Sequence, residues 1–396
     1  MSPSSAAAAL SSLLDTVHLI EPVIRAHSAQ AEKERRLPDA VANTMRESGL
    51  YRLWRPRAFG GLEVDPMTAF QVFEEVSRID SAAGWNLWAS CNFDTVGPWF
   101  GDEGAKEIFG QPGALLAGSW FPSRRAEPVD GGYRVTGQTP FASGADQAQW
   151  IIGLINIYDG DMLRLADNGA PVTMMTACPV GEAVVVDTWR TLGMRGTGSH
   201  DVLMKDVFVP TRRTALLVPY DKPGSAYQGP LYKFSVWATI AAIAAIATGI
   251  TRAAIDELVN LAARKTPSYT TRSLRDRNTV QALLGEAEAT LGAARAYLYE
   301  ALRDVWDRAV SNQFIDMPGK MKLQLAATHG VTAAARGVDL VLAAVGTTGV
   351  RDEHGFQRHF RDVHTITQHA FCSANRYESG GQYFLGVPIE WPFYGL

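Results

Sequence analysis

GGYRVTGQTPFASGADQAQW, residues 131–150, reads as two short strand-like runs broken by Gly, Pro and Ser. Three later stretches share its lack of a helical period: PVTMMTACPV (171–180), AVVVDTW (183–189) and DVLMKDVFVP (201–210). Many short strands with turns between them predict a small β domain. In the last stretch Val202, Met204, Val207 and Val209 alternate imperfectly, which predicts a bulge near Asp206. Outward from this centre the chain becomes helical on both sides. Leu14, Ile20, Ile24, Leu37, Val41, Met45 and Leu50 have near-helical spacing, and Pro38 falls early in its stretch, where a missing N–H costs least. DEGAKEIFG (102–110) closes the first region on a helix-ending glycine. On the far side, Leu283, Ala287, Leu291, Ala294 and Leu298 form one packed face, and Leu323, Ala326, Ala327, Val331 and Ala334 another. Alanine lets such helices approach closely, as in a four-helix bundle. A further helix is expected over residues 358–383. The expected division is 1–111 helical, 112–226 β and 227–396 helical bundle.

Composition narrows the class. The 396 residues are 46% hydrophobic and 20% charged, the profile of a chain with a large core. Thirty-seven basic and 41 acidic residues give a net charge of -4, so nothing draws the molecule to nucleic acid or an anionic membrane. Cys91, Cys178 and Cys372 show neither disulfide nor metal spacing, and the expectation is no metal site and a reducing, cytoplasmic setting. The N-terminal apolar stretch has no early basic residues, against a secretory signal. FSVWATIAAIAAIATGI (234–250) runs on into a polar helical pattern, so it reads as a buried helix rather than a membrane span. No G-x-G-x-x-G, P-loop or H-E-x-x-H occurs.

Four stretches can carry chemistry. FASGADQAQW (141–150) sets a serine between small residues and beside an aromatic; it reads either as a strand and turn or as the border of a flat ligand. WRTLGMRGTGSHDV (189–202) is a glycine-rich, donor-rich turn that either links strands or wraps a ring or anion. His354, His359, His364 and His369 recur every five residues, a step of about 140° on a helix, so they share no face. One of them facing inward would serve as a donor or base. AAVGTTGV (343–350) is a glycine turn between helices that can also present N–H groups to a ligand.

Taken in order, ESGLYRLWRPRAFGG (47–61), EEVSRIDSAAGW (74–85), residues 131–150, LGMRGTGSHDVLMKDVFVP (192–210) and FQRHFRDVHTITQHAF (356–371), followed by YESGGQYFLG (377–386), resemble the acyl-CoA dehydrogenase superfamily. More narrowly they resemble its two-component flavin monooxygenase branch, which includes the oxygenase of 4-hydroxyphenylacetate hydroxylase and dibenzothiophene monooxygenase. The resemblance implies an N-terminal helical domain, a small β-barrel domain and a C-terminal four-helix bundle, assembled as a homotetramer. It implies reduced FMN or FAD, FMNH2 first, supplied by a separate NAD(P)H-dependent reductase. The implied reaction hydroxylates a small aromatic or heteroaromatic substrate with O2 through a C4a-hydroperoxyflavin. The alternative is an acyl-CoA dehydrogenase or related flavin oxidase. Where a dehydrogenase often carries its glutamate base, this chain reads Thr367-Gln368-His369-Ala370. The resemblance assigns catalysis to His369 and Ser143, with Ser143 at the flavin N5 edge. It assigns the cofactor to Trp120, to Phe141 and Ala142 through side chain and backbone, to Arg275 with Arg272 and Arg277 as rivals at the flavin phosphate, and to Gly346, Thr347 and Thr348, which reach a neighbouring subunit's flavin. Trp88, Cys91 and Asn92, at three-four spacing, are expected to share a substrate-facing side with His369.

Overall fold

The computed structural model describes residues 3–111, 113–219, 223–234 and 236–396. Five helices come first: α1 (Pro3–Glu34), α2 (Asp39–Glu47), α3 (Pro66–Ile79), α4 (Ser81–Asp94) and α5 (Asp102–Phe109). Eight strands follow: β1 (Leu116–Val129), β2 (Gly132–Ala142), β3 (Trp150–Asp159), β4 (Met162–Leu163), β5 (Thr173–Pro179), β6 (Val184–Val186), β7 (His200–Pro210) and β8 (Thr214–Leu216). The chain then returns to helix in α6 (Trp237–Ala262), α7 (Asn278–Val310), α8 (Met317–Val345), α9 (Phe356–Ile366) and α10 (Arg376–Leu385).

The strands pair in the order β6-β7-β2-β1-β3-β5-β8, with β4 on β3; among the described residues only β1 and β3 run parallel. The implied barrel is therefore an open sheet among the described residues. Its end strands, β6 and β8, are three residues each and pair with one neighbour apiece. The predicted bulge is present. Val135 pairs with Val207 but Gly137 with Met204, so β7 carries one extra residue there, and Asp206 takes a left-handed φ of 53° to absorb it.

The bundle is built as the alanine pattern predicts. Residues 237–251 of α6 are all buried. Gly330 of α8 lies so close to α6 that an added Cβ would sit 2.8 Å from Ala244 Cβ, and Thr251 Oγ1 donates across to Ala334 O at 3.0 Å. By length and composition Ala7–Glu34, Trp237–Ala262 and Met317–Val350 are apolar enough to cross a bilayer, but 89% of the apolar window of α6 is buried in this core.

Helix α4 is the central support of the site. All fourteen of its residues are buried. Asp80 caps its N-terminus, accepting from Ala83 N at 2.9 Å. Its last residue, Asp94, holds the fully buried Arg55 at 2.9 Å, and Arg55 also donates to Ala114 O at 2.8 Å. That pair joins the end of α4 to the chain entering β1.

The single helix expected over 358–383 is two helices. α9 ends at Ile366, turns carry residues 367–375, and α10 starts at Arg376. In the break, the backbone N–H of Cys372 and that of Ser373 both donate to His369 O, at 2.9 and 2.8 Å. The interruption brings His369 off the helix and under α4.

Candidate active site

A cavity of about 600 Å³ lies where α4, β1, the end of β2, the loop 189–199, the break after α9 and the C-terminal segment meet. Its volume is in the usual range for small-molecule sites. Five residues of α4 line it: Trp85, Trp88, Ala89, Asn92 and Phe93. Their spacing puts them in one helical stripe. Cys91 stands about 130° round the helix from the middle of that stripe. It is fully buried, its thiol pointing to Leu50 O at 3.7 Å, so it does not line the cavity as expected. Ala142 is also turned away. It follows the strand alternation into the second core of the β domain, beside Ala145 and Val202.

Ser143, Phe141, Trp120, Trp88, Asn92 and His369 all line this one cavity. Trp85 links two of them: its Nε1–H donates to Ser143 Oγ at 3.0 Å, and its ring meets that of His369 edge-on at 5.5 Å. Arg275, Gly346, Thr347 and Thr348 are not brought to it within this chain. Arg275 is exposed between α6 and α7, 3.9 Å from Asp276. Gly346 and Thr347 are exposed at the end of α8, where Lys265 Nζ donates to Val345 O at 3.1 Å and to Thr348 Oγ1.

His369 is neutral at physiological pH, since burial lowers its pKa to about 4. The backbone N–H of Phe371 donates to its Nδ1 at 3.3 Å, which leaves the ring proton on Nε2. His369 is therefore a hydrogen-bond donor in an aromatic setting, with Trp85, Trp88 and Phe371 around it. The other end of the cavity is an aromatic box. Phe93 stacks on Trp120 at 6.1 Å and 13°, and Phe371 and Phe393 close on Trp120 from other sides. Asn92 Oδ1 accepts from Trp120 Nε1 at 3.2 Å and its Nδ2 donates to Ala89 O, leaving one amide N–H free for a ligand.

The loop 189–199 supplies Trp189, Thr191, Met194, Thr197 and Ser199. Its seating depends on the buried Asp362 of α9, which accepts from Met194 N and from Ser81 Oγ, both at 2.5 Å. One carboxylate thus fixes loop, α4 and α9 together. Burial raises its pKa. Gly193 is required here, because a Cβ would lie 2.2 Å from Arg361 O.

Several lining residues carried no sequence signal of their own. Trp391 and Phe393 reach the cavity from the last six residues, and Phe371 from the helix break. The spacing of Trp85 from Trp88 is one that could have found it.

The N-terminal domain model of acyl-CoA dehydrogenase matches residues 12–108 and its C-terminal domain model residues 241–374. Indole-3-acetate monooxygenase of Pseudomonas putida is 31% identical over 392 residues, 97% of this chain and 96% of its own. The chain belongs to this family. It is the flavin-binding oxygenase component of a two-component monooxygenase for small aromatic or heteroaromatic substrates. The HsaA oxygenase subunit of Rhodococcus jostii is 26% identical, covering 93% of the chain and 97% of its own length. The solved structure of XiaF from Streptomyces, in complex with FADH2 and glycerol, superposes with a TM-score of 0.91 at 27% identity, covering 98% of both chains.

The residues present in the oxygenase fit a flavin ring. Phe121 and Phe141, 57% and 60% exposed, offer uncovered aromatic faces beside the cavity, and Phe141 stands edge-on to Trp189 at 6.2 Å. Phe141 also holds a left-handed φ of 69°. A strained aromatic residue at such a site is kept for what its side chain does. Phe141→Gly is expected to be more stable than Phe141→Ala by about 1 kcal/mol, the reverse of the usual order, because only glycine relaxes at that φ. Both variants are expected to lose flavin affinity alike. Thermal denaturation beside flavin titration checks this, and equal melting temperatures would remove the strain argument.

Proposed function

We propose that the oxygenase takes reduced FAD or FMN from a separate NAD(P)H-dependent reductase and uses O2 to hydroxylate an uncharged bicyclic heteroaromatic of the indole class. The observation that carries this is the lining of the cavity. Among the described residues it contains aromatic rings, hydroxyls, two amides and one neutral histidine, with no carboxylate, lysine or arginine. A flat neutral ring suits that wall. An α-proton abstraction of the dehydrogenase kind has no carboxylate base there. The Pseudomonas putida relative named for an indole compound supports the substrate class. XiaF, which holds FADH2, supports reduced FAD as at least the equal of FMN.

Bound reduced flavin supplies the electrons that activate O2, one oxygen atom entering the substrate and the other leaving as water. The protein's part is placement. Ser143 meets the N5 edge. His369 donates its Nε2–H to the oxygen being transferred or to the substrate heteroatom. Asn92 offers its free amide N–H to the ring substrate, and Trp120, Phe93, Phe371 and Phe393 hold that ring and keep water out. The same reading makes the protein a cytoplasmic homotetramer divided at about residues 111 and 226. In it Arg275 meets the flavin phosphate, and Gly346, Thr347 and Thr348 reach the cofactor of the next subunit.

The test mixes the protein with photoreduced FAD or FMN, indole and ¹⁸O2, and reads the product by mass spectrometry. One labelled oxygen atom per product is expected. Peroxide release with no labelled product from any neutral bicyclic ring would overturn the reading.

A further inference from the structure

Four hydrogen bonds run in line behind Ser143. Trp85 Nε1 is 3.0 Å from Ser143 Oγ; Ser143 Oγ is 2.7 Å from Ser199 Oγ; Ser199 Oγ is 2.6 Å from Thr197 Oγ1; Thr197 Oγ1 is 2.8 Å from Met194 O. Their direction follows from counting protons. A carbonyl oxygen only accepts, and two oxygens at 2.8 Å need a proton between them, so the Thr197 hydroxyl points to Met194 O. Thr197 then accepts from Ser199, and Ser199 from Ser143. The indole N–H of Trp85 only donates and takes one lone pair of Ser143. Ser143, Ser199 and Trp85 are all buried, so water does not compete for these bonds. One lone pair of Ser143 is left, and Ser143 lines the cavity.

We infer that Trp85, Ser199 and Thr197 are positioning residues that make Ser143 an acceptor toward the cavity, so that the site selects reduced flavin over oxidised. Reduced flavin carries a hydrogen on N5 and donates it to that lone pair. Oxidised flavin has a bare N5 and finds a second acceptor in front of it. To serve oxidised flavin the whole row must reverse, and Thr197 must give up Met194 O. One hydrogen bond of this kind corresponds to about a tenfold preference. The device lets the oxygenase hold the form a reductase delivers and shed the spent form. It rests on the reading that the N5 edge meets Ser143.

The midpoint potential of flavin bound to the full-length protein, set against that of free flavin, reports the ratio of the two affinities. Ser199→Ala leaves the Ser143 proton without its acceptor and free to turn to N5. Oxidised flavin should then bind more tightly and reduced flavin less, an outcome that general structural damage does not produce. The preference should fall about tenfold, which lowers the bound potential by ~30 mV for two electrons. Thr197→Val should do the same, and Thr197→Ser should restore the wild-type value. In a Ser143→Ala background, Ser199→Ala should add nothing. An unchanged potential in Ser199→Ala, where Ser143→Ala does shift it, overturns the relay and leaves Ser143 at N5. An unchanged potential in both overturns the placement of Ser143 itself.

Discussion

His369→Ala is expected to lower the rate of oxygen transfer to substrate about 100-fold while O2 consumption continues, so that most of the reducing power appears as peroxide. The size follows from the loss of one placed donor in a water-poor site, which costs roughly two to three powers of ten in comparable cases. The sign follows from the state of the ring. Burial holds His369 neutral, with its pKa lowered to about 4, and the Phe371 N–H on Nδ1 leaves Nε2–H as the donor. A neutral donor does not titrate between pH 6 and 9, so the coupling ratio should be flat there, unlike that of a base near pH 7. His369→Gln, which keeps an N–H, should recover part of the coupling. Stability carries the same signature. The unfolded imidazole takes up its proton near pH 6.5 and the folded one only near pH 4, so this contribution is whole above pH 6.5 and is lost as pH falls toward 4. Between pH 7 and pH 5 the loss is about 2 kcal/mol. His369→Phe should remove that part of the acid limb in urea denaturation. Normal peroxide yield in His369→Ala would take the residue out of the reaction.

Indole is expected to exceed indole-3-acetate by about 100-fold or more in kcat/KM. No cation lines the cavity among the described residues, and the donors it offers a carboxylate are all neutral: two amides, hydroxyls and the His369 N–H. Burying an unpaired carboxylate costs several kcal/mol, and about 3 kcal/mol is already a hundredfold. The relative of Pseudomonas putida carries a carboxylate substrate in its name, so the comparison is a sharp one. The methyl ester of indole-3-acetate controls for bulk and should be handled closer to indole than to the free acid. If ester and acid are turned over equally, charge is not what the wall reads.

The order helical, β, helical was legible because each part has its own pattern: short strand-like runs without a helical period in residues 171–180 and 201–210, three-four spacing from Leu283 to Leu298. Even the bulge at Asp206 showed as a fault in alternation. Ser143 and His369 came from a resemblance in motif order, and they do share one cavity. Cys91 was misplaced because three-four spacing says which residues are neighbours on a helix, not where the stripe that meets a cavity is centred. Ala142, expected to meet the ring through its backbone, turns its side chain into the second core because neighbouring residues in a strand point to opposite faces.

What the amino-acid order determined by itself is local. It set which stretches take helix or strand, how much apolar surface each must bury, and which side chains can give or take a proton. The folded chain decided the rest. It broke the helix after Ile366, brought Phe393 from the far end of the chain to Trp120 and Trp391 into the same cavity, and joined Met194 to Asp362 across 168 positions. Contacts of that span depend on how whole elements dock, and docking is set by the summed fit of many faces rather than by any one period.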